Sequence, residues 1–213
     1  MYINERKETT MQYAVKQYAT KVLAVLALSA VALSPAVAQD RAVTVSARSG
    51  GFNAITDLDD AGTRSFGSTG YSVGGGVSVD LHRFVAVRAD FTYARNELQQ
   101  DGAETGTDLN RFFYEAALQL QYPTSSGLMP YVYAGGGAVT LHEVGTSGEN
   151  KTKPTAAFGL GLNYTVPRSN IGFFVEGRSW LSKPSDASGA LTGVDKTQYE
   201  VTWTGGVSYR LPL

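Results

Sequence analysis

The chain has 213 residues, of which 43% are hydrophobic and 17% charged, so it is neither a disordered tail nor a helical membrane protein. It contains no cysteine, which excludes a disulfide scaffold, a cysteine-ligated metal and a thiol nucleophile. The net charge of −1 argues against a nucleic-acid partner, because such a partner requires a basic face. The 24 glycines and 12 tyrosines favour strands and turns over helices.

The first predicted element is a cleavable secretory signal peptide over residues 1–38. Two lysines precede an apolar run over residues 22–33, and small residues at 36–38 form a cleavage site, so the mature chain should begin at Gln39. Met11 offers an alternative start of translation. An uncleaved membrane anchor is the other interpretation, but the uncharged stretch contains a proline and is shorter than the ~20 apolar residues of a spanning helix.

Beyond the signal peptide, apolar and polar residues alternate with a period of two, the pattern of a strand with two different faces. The clearest example is residues 85–93, where Val87 and Phe91 alternate with Arg88 and Asp90. An even number of such strands is predicted, at residues 42–53, 70–81, 85–93, 112–122, 131–142, 155–166, 171–181 and 199–211.

The predicted connections alternate strictly between short and long. The short ones are residues 82–83, 123–130 and 167–170, and the long polar ones are residues 54–69, 95–109, 143–153 and 182–198. Antiparallel strands produce this alternation when one rim carries tight turns and the other carries exposed loops. The sequence therefore predicts an eight-stranded antiparallel up-and-down β-barrel over residues 39–213. In outer-membrane barrels the short turns lie on the periplasmic side, so the long loops are expected outside.

The distribution of aromatic residues predicts that the apolar face points outward into lipid. Aromatic residues cluster at both ends of the strands, as expected for belts at two membrane interfaces. The belt near the long loops is predicted to contain Tyr71, Tyr93, Phe112, Tyr114 and Tyr199, and the belt near the short turns Tyr122, Tyr131, Tyr164, Phe173 and Tyr209. The lipid-facing residues between the belts should include Val87, Phe91, Leu118, Leu120, Phe158, Leu160, Val175 and Val201.

Glycines inside the predicted strands point to a narrow cylinder. They lie at positions 74–76, 135–137, 159, 161 and 205–206, where each costs roughly 0.5–1 kcal/mol. Such a cost is accepted where the sheet curves sharply and large inward side chains need space. A membrane also makes closure obligatory, since an unpaired strand edge in hydrocarbon costs several kcal/mol per group.

With these features the mature chain resembles small outer-membrane barrels of the OmpA/OmpX and opacity-protein type. The fragments that carry the resemblance are residues 131–137, 173–178 and 206–211. The last fragment, with Gly206, Tyr209 and Leu211, resembles the assembly signal of the family, although the chain continues to Pro212-Leu213. The resemblance implies export to the outer membrane, contact with its lipids, and recognition of the C-terminal strand by the barrel-assembly machinery.

Five charged residues occupy inward positions of the predicted strands. Arg88 and Asp90 lie on the third strand, Glu115 on the fourth, and Glu176 and Arg178 on the seventh. Opposite strands of an eight-stranded barrel are separated only by the side chains that fill it. We therefore expect the charges to form a salt-bridge network that closes the barrel, with a narrow ion path between them as the alternative.

The sequence predicts no enzyme, metal or cofactor. His82 and His142 are expected at opposite ends of the barrel, whereas a Ser-His-acid site needs its members within about 3 Å. The glycines at 135–137 lack the following helix that holds a phosphate. The acidic residues 57–60 lack the spacing of a calcium-binding EF-hand loop.

Three functions stay open at this point. The first is a closed barrel that displays its loops, for envelope integrity or for surface interaction and adhesion. In that case the partners of the loops would be extracellular ligands. The second is a narrow ion-conducting pore. The third, supported least, is a soluble periplasmic barrel that binds a ligand, in which the apolar face would fill the core instead.

Overall fold

The first and last long strands pair with each other, so that the sheet closes on itself and has no free edge among the long strands. This arrangement is seen in a computed structural model of the chain. The model describes residues 42–55, 64–66, 70–100, 103–143, 151–182 and 197–212. The predicted signal peptide, the acidic segment 57–60 and most of the long loops fall outside these ranges.

The described residues form nine strands and no helix. The strands are β1 (Ala42–Ala54), β2 (Arg64–Phe66), β3 (Gly70–His82), β4 (Val85–Gln100), β5 (Ala103–Gln121), β6 (Leu128–Glu143), β7 (Lys151–Thr165), β8 (Ile171–Ser182) and β9 (Gln198–Pro212). Within this part of the chain, no helix is long and apolar enough to cross a membrane.

Eight of these strands form a closed antiparallel barrel in which each strand pairs with its neighbours in the sequence. The ladder between β1 and β9 runs from Ala42 opposite Pro212 to Ala54 opposite Glu200 and completes the cylinder. The short strand β2, which was not predicted, pairs with the far end of β4. The predicted up-and-down eight-stranded barrel is therefore confirmed, and the turns from β3 to β4, from β5 to β6 and from β7 to β8 lie at one rim.

The two faces of the strands are those that the period-two alternation predicted. On β5, Leu118 and Leu120 lie on the outside and are 51% and 53% exposed, whereas Gln119 between them is 6% exposed and points into the lumen. The same division holds on β4, where Val87 is outside and Arg88 inside. None of the eight predicted lipid-facing residues belongs to the buried core.

The prediction of a long loop over residues 95–109 is wrong. Strands β4 and β5 continue far beyond the aromatic belt and pair up to Gln100 opposite Ala103, with one bulge between Glu97 and Gln99. Only residues 101 and 102 separate the two strands. The segment was predicted as a loop because it is polar on both faces. A pair of strands with water on both sides has no apolar face and so shows no alternation. The missed signal is Asp101-Gly102, a dipeptide typical of two-residue hairpin turns.

Tyr131 was assigned to the aromatic belt near the short turns, and this assignment is also wrong. Its side chain is 7% exposed and points into the lumen, opposite Gln121 on β5. A tyrosine suits either place, because its ring is apolar and its hydroxyl can hydrogen-bond a polar group inside the barrel. Tyr122, Tyr164, Phe173 and Tyr209 remain on the outside, so the belt itself is present.

Two glycines of β7 make room for tyrosine rings inside the barrel. A Cβ atom on Gly159 would lie 2.5 Å from the hydroxyl oxygen of Tyr133, and one on Gly161 would clash with Tyr131. The expectation that strand glycines relieve crowding in a narrow cylinder holds at these positions. The low strand propensity of these glycines is offset because two tyrosine side chains can be buried next to them.

An arginine in place of Leu118 should destabilise the folded barrel strongly. The side chain lies between the two belts on the outer face, where a guanidinium at the bilayer midplane costs about 2–4 kcal/mol. Reversible urea unfolding in lipid vesicles measures this loss. The matched control is Ser125→Arg, at an exposed turn residue, which should leave the free energy of unfolding nearly unchanged. Equal losses in both variants would contradict a lipid-facing Leu118.

Candidate functional site: the barrel lumen

The five charged residues that the alternation placed inside the barrel lie together at its centre. The Arg88 Nε atom is 2.6 Å from Asp90 Oδ2, and its Nη1 atom is 2.9 Å from Glu176 Oε2 across the lumen. The Arg178 Nη1 atom is 2.7 Å from Glu115 Oε1, and its Nη2 atom is 2.6 Å from Glu176 Oε1. The strand pattern that put each residue on an inward position is sufficient to bring them together, because the lumen is only as wide as two side chains.

A sixth member, Arg48 on β1, was missed by the sequence analysis. Its Nη2 atom lies 2.6 Å from Asp90 Oδ1, and both side chains are 1% exposed. Its Nη1 atom approaches Glu176 Oε1 to 3.7 Å. The available signal was position, since Arg48 shares the inward parity of Ser46 and Phe52 on the same strand. We call these six residues the central charge cluster.

Arg48 makes the central charge cluster electrically balanced. The five predicted residues alone carry three carboxylates and two guanidinium groups, and Arg48 supplies the third cation. Charges that are buried away from water are tolerated only when they are paired and hydrogen-bonded. Every carboxylate of the cluster has at least one guanidinium within 3 Å. The three guanidinium groups and three carboxylates therefore balance in charge without an added ion.

Two tyrosines of β6 complete the contacts of Glu176. The Tyr131 hydroxyl donates a hydrogen bond of 2.9 Å to Glu176 Oε2, and the Tyr133 hydroxyl donates one of 3.3 Å to Oε1. The guanidinium carbon of Arg88 lies 4.1 Å from the centre of the Tyr133 ring, a cation–π distance. The rings thus fill the space beside the cluster and fix the orientation of its charges.

An apolar layer lies above the central charge cluster, on the side of the long loops. Phe113 and Trp180 stack with ring centres 4.2 Å apart, and both are fully buried. Phe113 precedes Glu115 by two positions on β5, and Trp180 follows Arg178 by two positions on β8, so each ring lies one inward step from a charged residue of the cluster. The Trp180 indole donates a hydrogen bond of 2.7 Å to Glu115 Oε2 and joins the two layers. This layer was not predicted from the sequence.

A second ion pair closes the lumen beyond the apolar layer. Arg111 Nε on β5 lies 2.7 Å from Glu200 Oε1 on β9, and Arg111 also donates a hydrogen bond to Asn96. The Arg111 guanidinium carbon lies 5.0 Å from the centre of the Phe52 ring, at the edge of the apolar layer. Charged, apolar and charged side chains therefore alternate along the barrel axis.

The opposite end of the lumen is more open. A polar cavity begins at the short-turn rim and ends at Arg88, Asp90 and Glu176 of the central charge cluster. At its mouth Arg210 Nη2 lies 2.8 Å from Asp80 Oδ2, and the Arg210 side chain is 45% exposed. Gln121 donates a hydrogen bond of 3.0 Å to the other oxygen of Asp80. The cavity therefore opens at the short-turn rim.

The predicted histidines do not form a site. His82 ends β3 at the short-turn rim, where its Nδ1 accepts a hydrogen bond of 3.4 Å from the Phe84 backbone, and His142 lies near the opposite end of β6. Among the described side chains, no group of three or more His, Cys, Asp or Glu residues is arranged to hold a metal ion. The described lumen consists of paired charges and tightly packed rings.

Comparison with known proteins decides the family. The profile of the family described as the outer membrane protein beta-barrel domain matches residues 23–210. The chain belongs to this family. The structure is similar to that of Neisserial surface protein A (NspA), at 16% identity and a TM-score of 0.55, over 82% of this chain and 98% of that one. It is also similar to the outer membrane protein OprG from Pseudomonas aeruginosa, at 13% identity and a TM-score of 0.50, over 81% and 96%.

At these identities the solved structures show a common fold only, and no curated relative matches the chain. Membership of the family nevertheless establishes the protein as a small outer-membrane β-barrel, so the predicted fold and location are confirmed. The alternative interpretation as a soluble periplasmic barrel is wrong, because in such a barrel the apolar face would fill the core. Here that face is outside and the charges are inside.

The predicted assembly signal lies on β9, on the strand that closes the barrel. Tyr209 and Leu211 are on the outer face and are 47% and 44% exposed. Gly206 has the inward parity, and a Cβ atom there would lie 2.5 Å from the Phe174 ring. In the folded barrel the whole strand is paired with β1 on one side and β8 on the other.

Removing Arg48 should destabilise the barrel by about 3–5 kcal/mol, because Arg48→Ala leaves the buried cluster with three carboxylates and only two guanidinium groups. The double variant Arg48→Ala/Asp90→Asn restores the balance of charges and should recover part of that loss. Urea unfolding of the single and double variants gives the coupling energy.

The control for this experiment is Arg210→Ala at the cavity mouth, where the ion pair is partly exposed and contributes at most about 1 kcal/mol. Additive losses in the Arg48 and Asp90 variants would contradict a balanced cluster. A loss in Arg210→Ala as large as in Arg48→Ala would show that burial of the pair is not the cause.

Proposed function

We propose that the protein is a closed barrel that displays its loops on the cell surface for interaction with external partners and for adhesion. The observation that carries the proposal is the filling of the lumen by successive layers of side chains. The central charge cluster and the stacked Phe113 and Trp180 occupy the lumen one above the other. A solute would have to displace both layers to cross the membrane.

The long hairpin of β4 and β5 supports a role outside the membrane. A tilted strand needs only about 9–11 residues to cross the bilayer, whereas β4 has 16 residues and β5 has 19. The apolar outer face of β5 begins near Phe112, so the paired residues between Ala103 and Phe112 continue beyond the lipid. The strand β2 pairs with the end of β4 and widens this projecting sheet. A rigid sheet presents a defined surface to a partner at a lower entropic cost than a flexible loop.

The narrow pore is the second candidate, and the polar cavity at the short-turn rim is what favours it. The cavity ends at the ion pair of Arg88 and Glu176. If one of these side chains rotated and broke the pair, the cavity would extend further along the barrel axis. The apolar layer of Phe113 and Trp180 lies beyond and is fully buried. The closed barrel is preferred because an ion would have to pass these stacked, fully buried rings.

Two steps of biogenesis belong to the proposal. We infer that residues 1–38 are removed on export and that the exported chain begins at Gln39, which N-terminal sequencing of the purified protein checks. The outward Tyr209 and Leu211 of β9 are the side chains offered to the barrel-assembly machinery before β1 closes against this strand. Tyr209→Ala should then slow assembly of the barrel, whereas the free energy of unfolding of the assembled barrel should change little.

Planar-bilayer recordings test the closed lumen. The wild-type protein should show no steady conductance, and Arg88→Ala should stay closed because Phe113 and Trp180 remain stacked above it. The double variant Arg88→Ala/Trp180→Ala removes a side chain from both layers and should conduct. Heat-modifiable gel mobility of the same samples shows that silent proteins are folded and inserted. Steady, well-resolved conductance of the wild type would favour the pore and exclude the closed barrel.

Shortening the β4–β5 hairpin tests the role of the projecting sheet. Replacing residues 97–108 by an Asn-Gly turn keeps the strands within the membrane and removes the extension. Cells with the shortened protein should lose attachment to surfaces, while their resistance to detergent stays unchanged. Protease added to intact cells should cut the native hairpin and spare the turns at 83–84 and 166–170. Unchanged attachment with increased detergent sensitivity would instead support a role in envelope integrity.

A further inference from the structure

The outer surface carries an apolar groove near the short-turn rim, where strands β4 to β7 pass next to one another. The side chains of Phe84, Leu120, Tyr122, Val132 and Leu160 line it. Tyr122 and Leu160 are 63% and 62% exposed and form opposite walls. Part of the floor is backbone, because Gly161 and Tyr131 both face the lumen rather than the groove.

A cation lies at the end of this groove that faces the short-turn side. The Arg83 guanidinium carbon is 4.3 Å from the centre of the Phe84 ring. The Phe84 ring in turn stacks on Tyr122 at 6.0 Å, with the two planes 9° apart. Arg83 is thereby held beside the groove at the level of the aromatic belt, which is the level of lipid headgroups.

The short-turn rim has more positive than negative charge among its described residues. Arg83, Arg168 and Arg210 contribute cations, whereas Asp80 contributes the carboxylate and is paired with Arg210. No carboxylate within the described ranges pairs with Arg83, whose side chain is exposed. An anion that approaches this rim next to the groove therefore meets a guanidinium that is not already neutralised.

We propose that this groove and Arg83 form a binding site for one anionic glycerophospholipid of the periplasmic leaflet. The lipid phosphate pairs with the Arg83 guanidinium, and one acyl chain lies in the groove between Leu120 and Leu160. The orientation follows from the short turns, which face the periplasm in barrels of this class. The site is separate from the lumen and does not depend on whether the lumen is closed.

The physics of the bilayer decides what this site can recognise. The groove gains little from an acyl chain, since every lipid tail in the membrane is as apolar as the leucines that line it. Preference for one lipid must therefore come from its headgroup. The proposal thus requires selectivity for negative charge and assigns that selectivity to Arg83.

Native mass spectrometry of the full barrel tests the site with two probes, dioleoyl phosphatidylglycerol and dioleoyl phosphatidylcholine, which differ only in their headgroups. The wild-type protein should retain the anionic lipid in preference to the zwitterionic one. Arg83→Ala should lower retention of phosphatidylglycerol about five-fold, the effect of one arginine near a charged surface, and Arg83→Lys should restore most of it. The matched control is Arg168→Ala, on the turn between β7 and β8 at the same rim and outside the groove.

A second variant separates the groove from the charge. Val132→Trp fills the groove with an apolar side chain that the lipid face tolerates, and it should lower retention of phosphatidylglycerol although Arg83 is intact. Heat-modifiable mobility confirms that each variant is folded. Equal retention of the two lipids by the wild type would overturn the proposal. The same would follow if Arg168→Ala lowered retention as much as Arg83→Ala, because the rim charge as a whole would then be the cause.

Discussion

Every other feature of this barrel depends on the ladder between β1 and β9. A bilayer offers no hydrogen bonds to an exposed strand edge, so each unpaired backbone group there would cost several kcal/mol. Pairing from Ala42 opposite Pro212 to Ala54 opposite Glu200 removes both edges at once. Closure with eight strands also sets the radius, and a cylinder of this size has room only for side chains inside. The charged side chains of the lumen contact one another because the closed cylinder is narrow.

The narrow lumen converts a list of inward residues into layers with different chemistry. At the centre, three guanidinium groups and three carboxylates neutralise one another, with Arg48 as the member that balances the set. Above them the stacked Phe113 and Trp180 exclude water, and the Trp180 indole is hydrogen-bonded to Glu115. Buried ion pairs contribute less to stability than their number suggests, since desolvation offsets much of the attraction. Their balance matters more, because each unpaired charge would carry the full cost of burial.

The fold by itself does not assign a function, because the same barrel serves many roles. What differs between small barrels is the part outside the lipid and the pattern on the lipid face. In this protein the hairpin of β4 and β5 extends beyond the membrane as a paired sheet, and the groove beside Arg83 interrupts the outer surface near the short-turn rim. The proposed surface role rests on the hairpin, and the proposed lipid site rests on the groove. An experiment can therefore contradict one proposal without affecting the other.

The sequence by itself determined which residues face inward on most strands, because a period of two is a local property of a pleated strand. Leu118 and Gln119, or Val87 and Arg88, could be assigned without knowing any neighbour. Tyr131 could not, since a tyrosine suits both the belt and the lumen and only its partners Gln121 and Glu176 decide between them. The extension of β4 and β5 over residues 95–109 was hidden for a related reason, because a ladder with water on both faces shows no alternation. The tertiary structure alone decided the pairing of Arg48 with Asp90, which are 42 positions apart. It also decided the stacking of Phe113 on Trp180, since register and closure, not composition, bring distant strands to the same height.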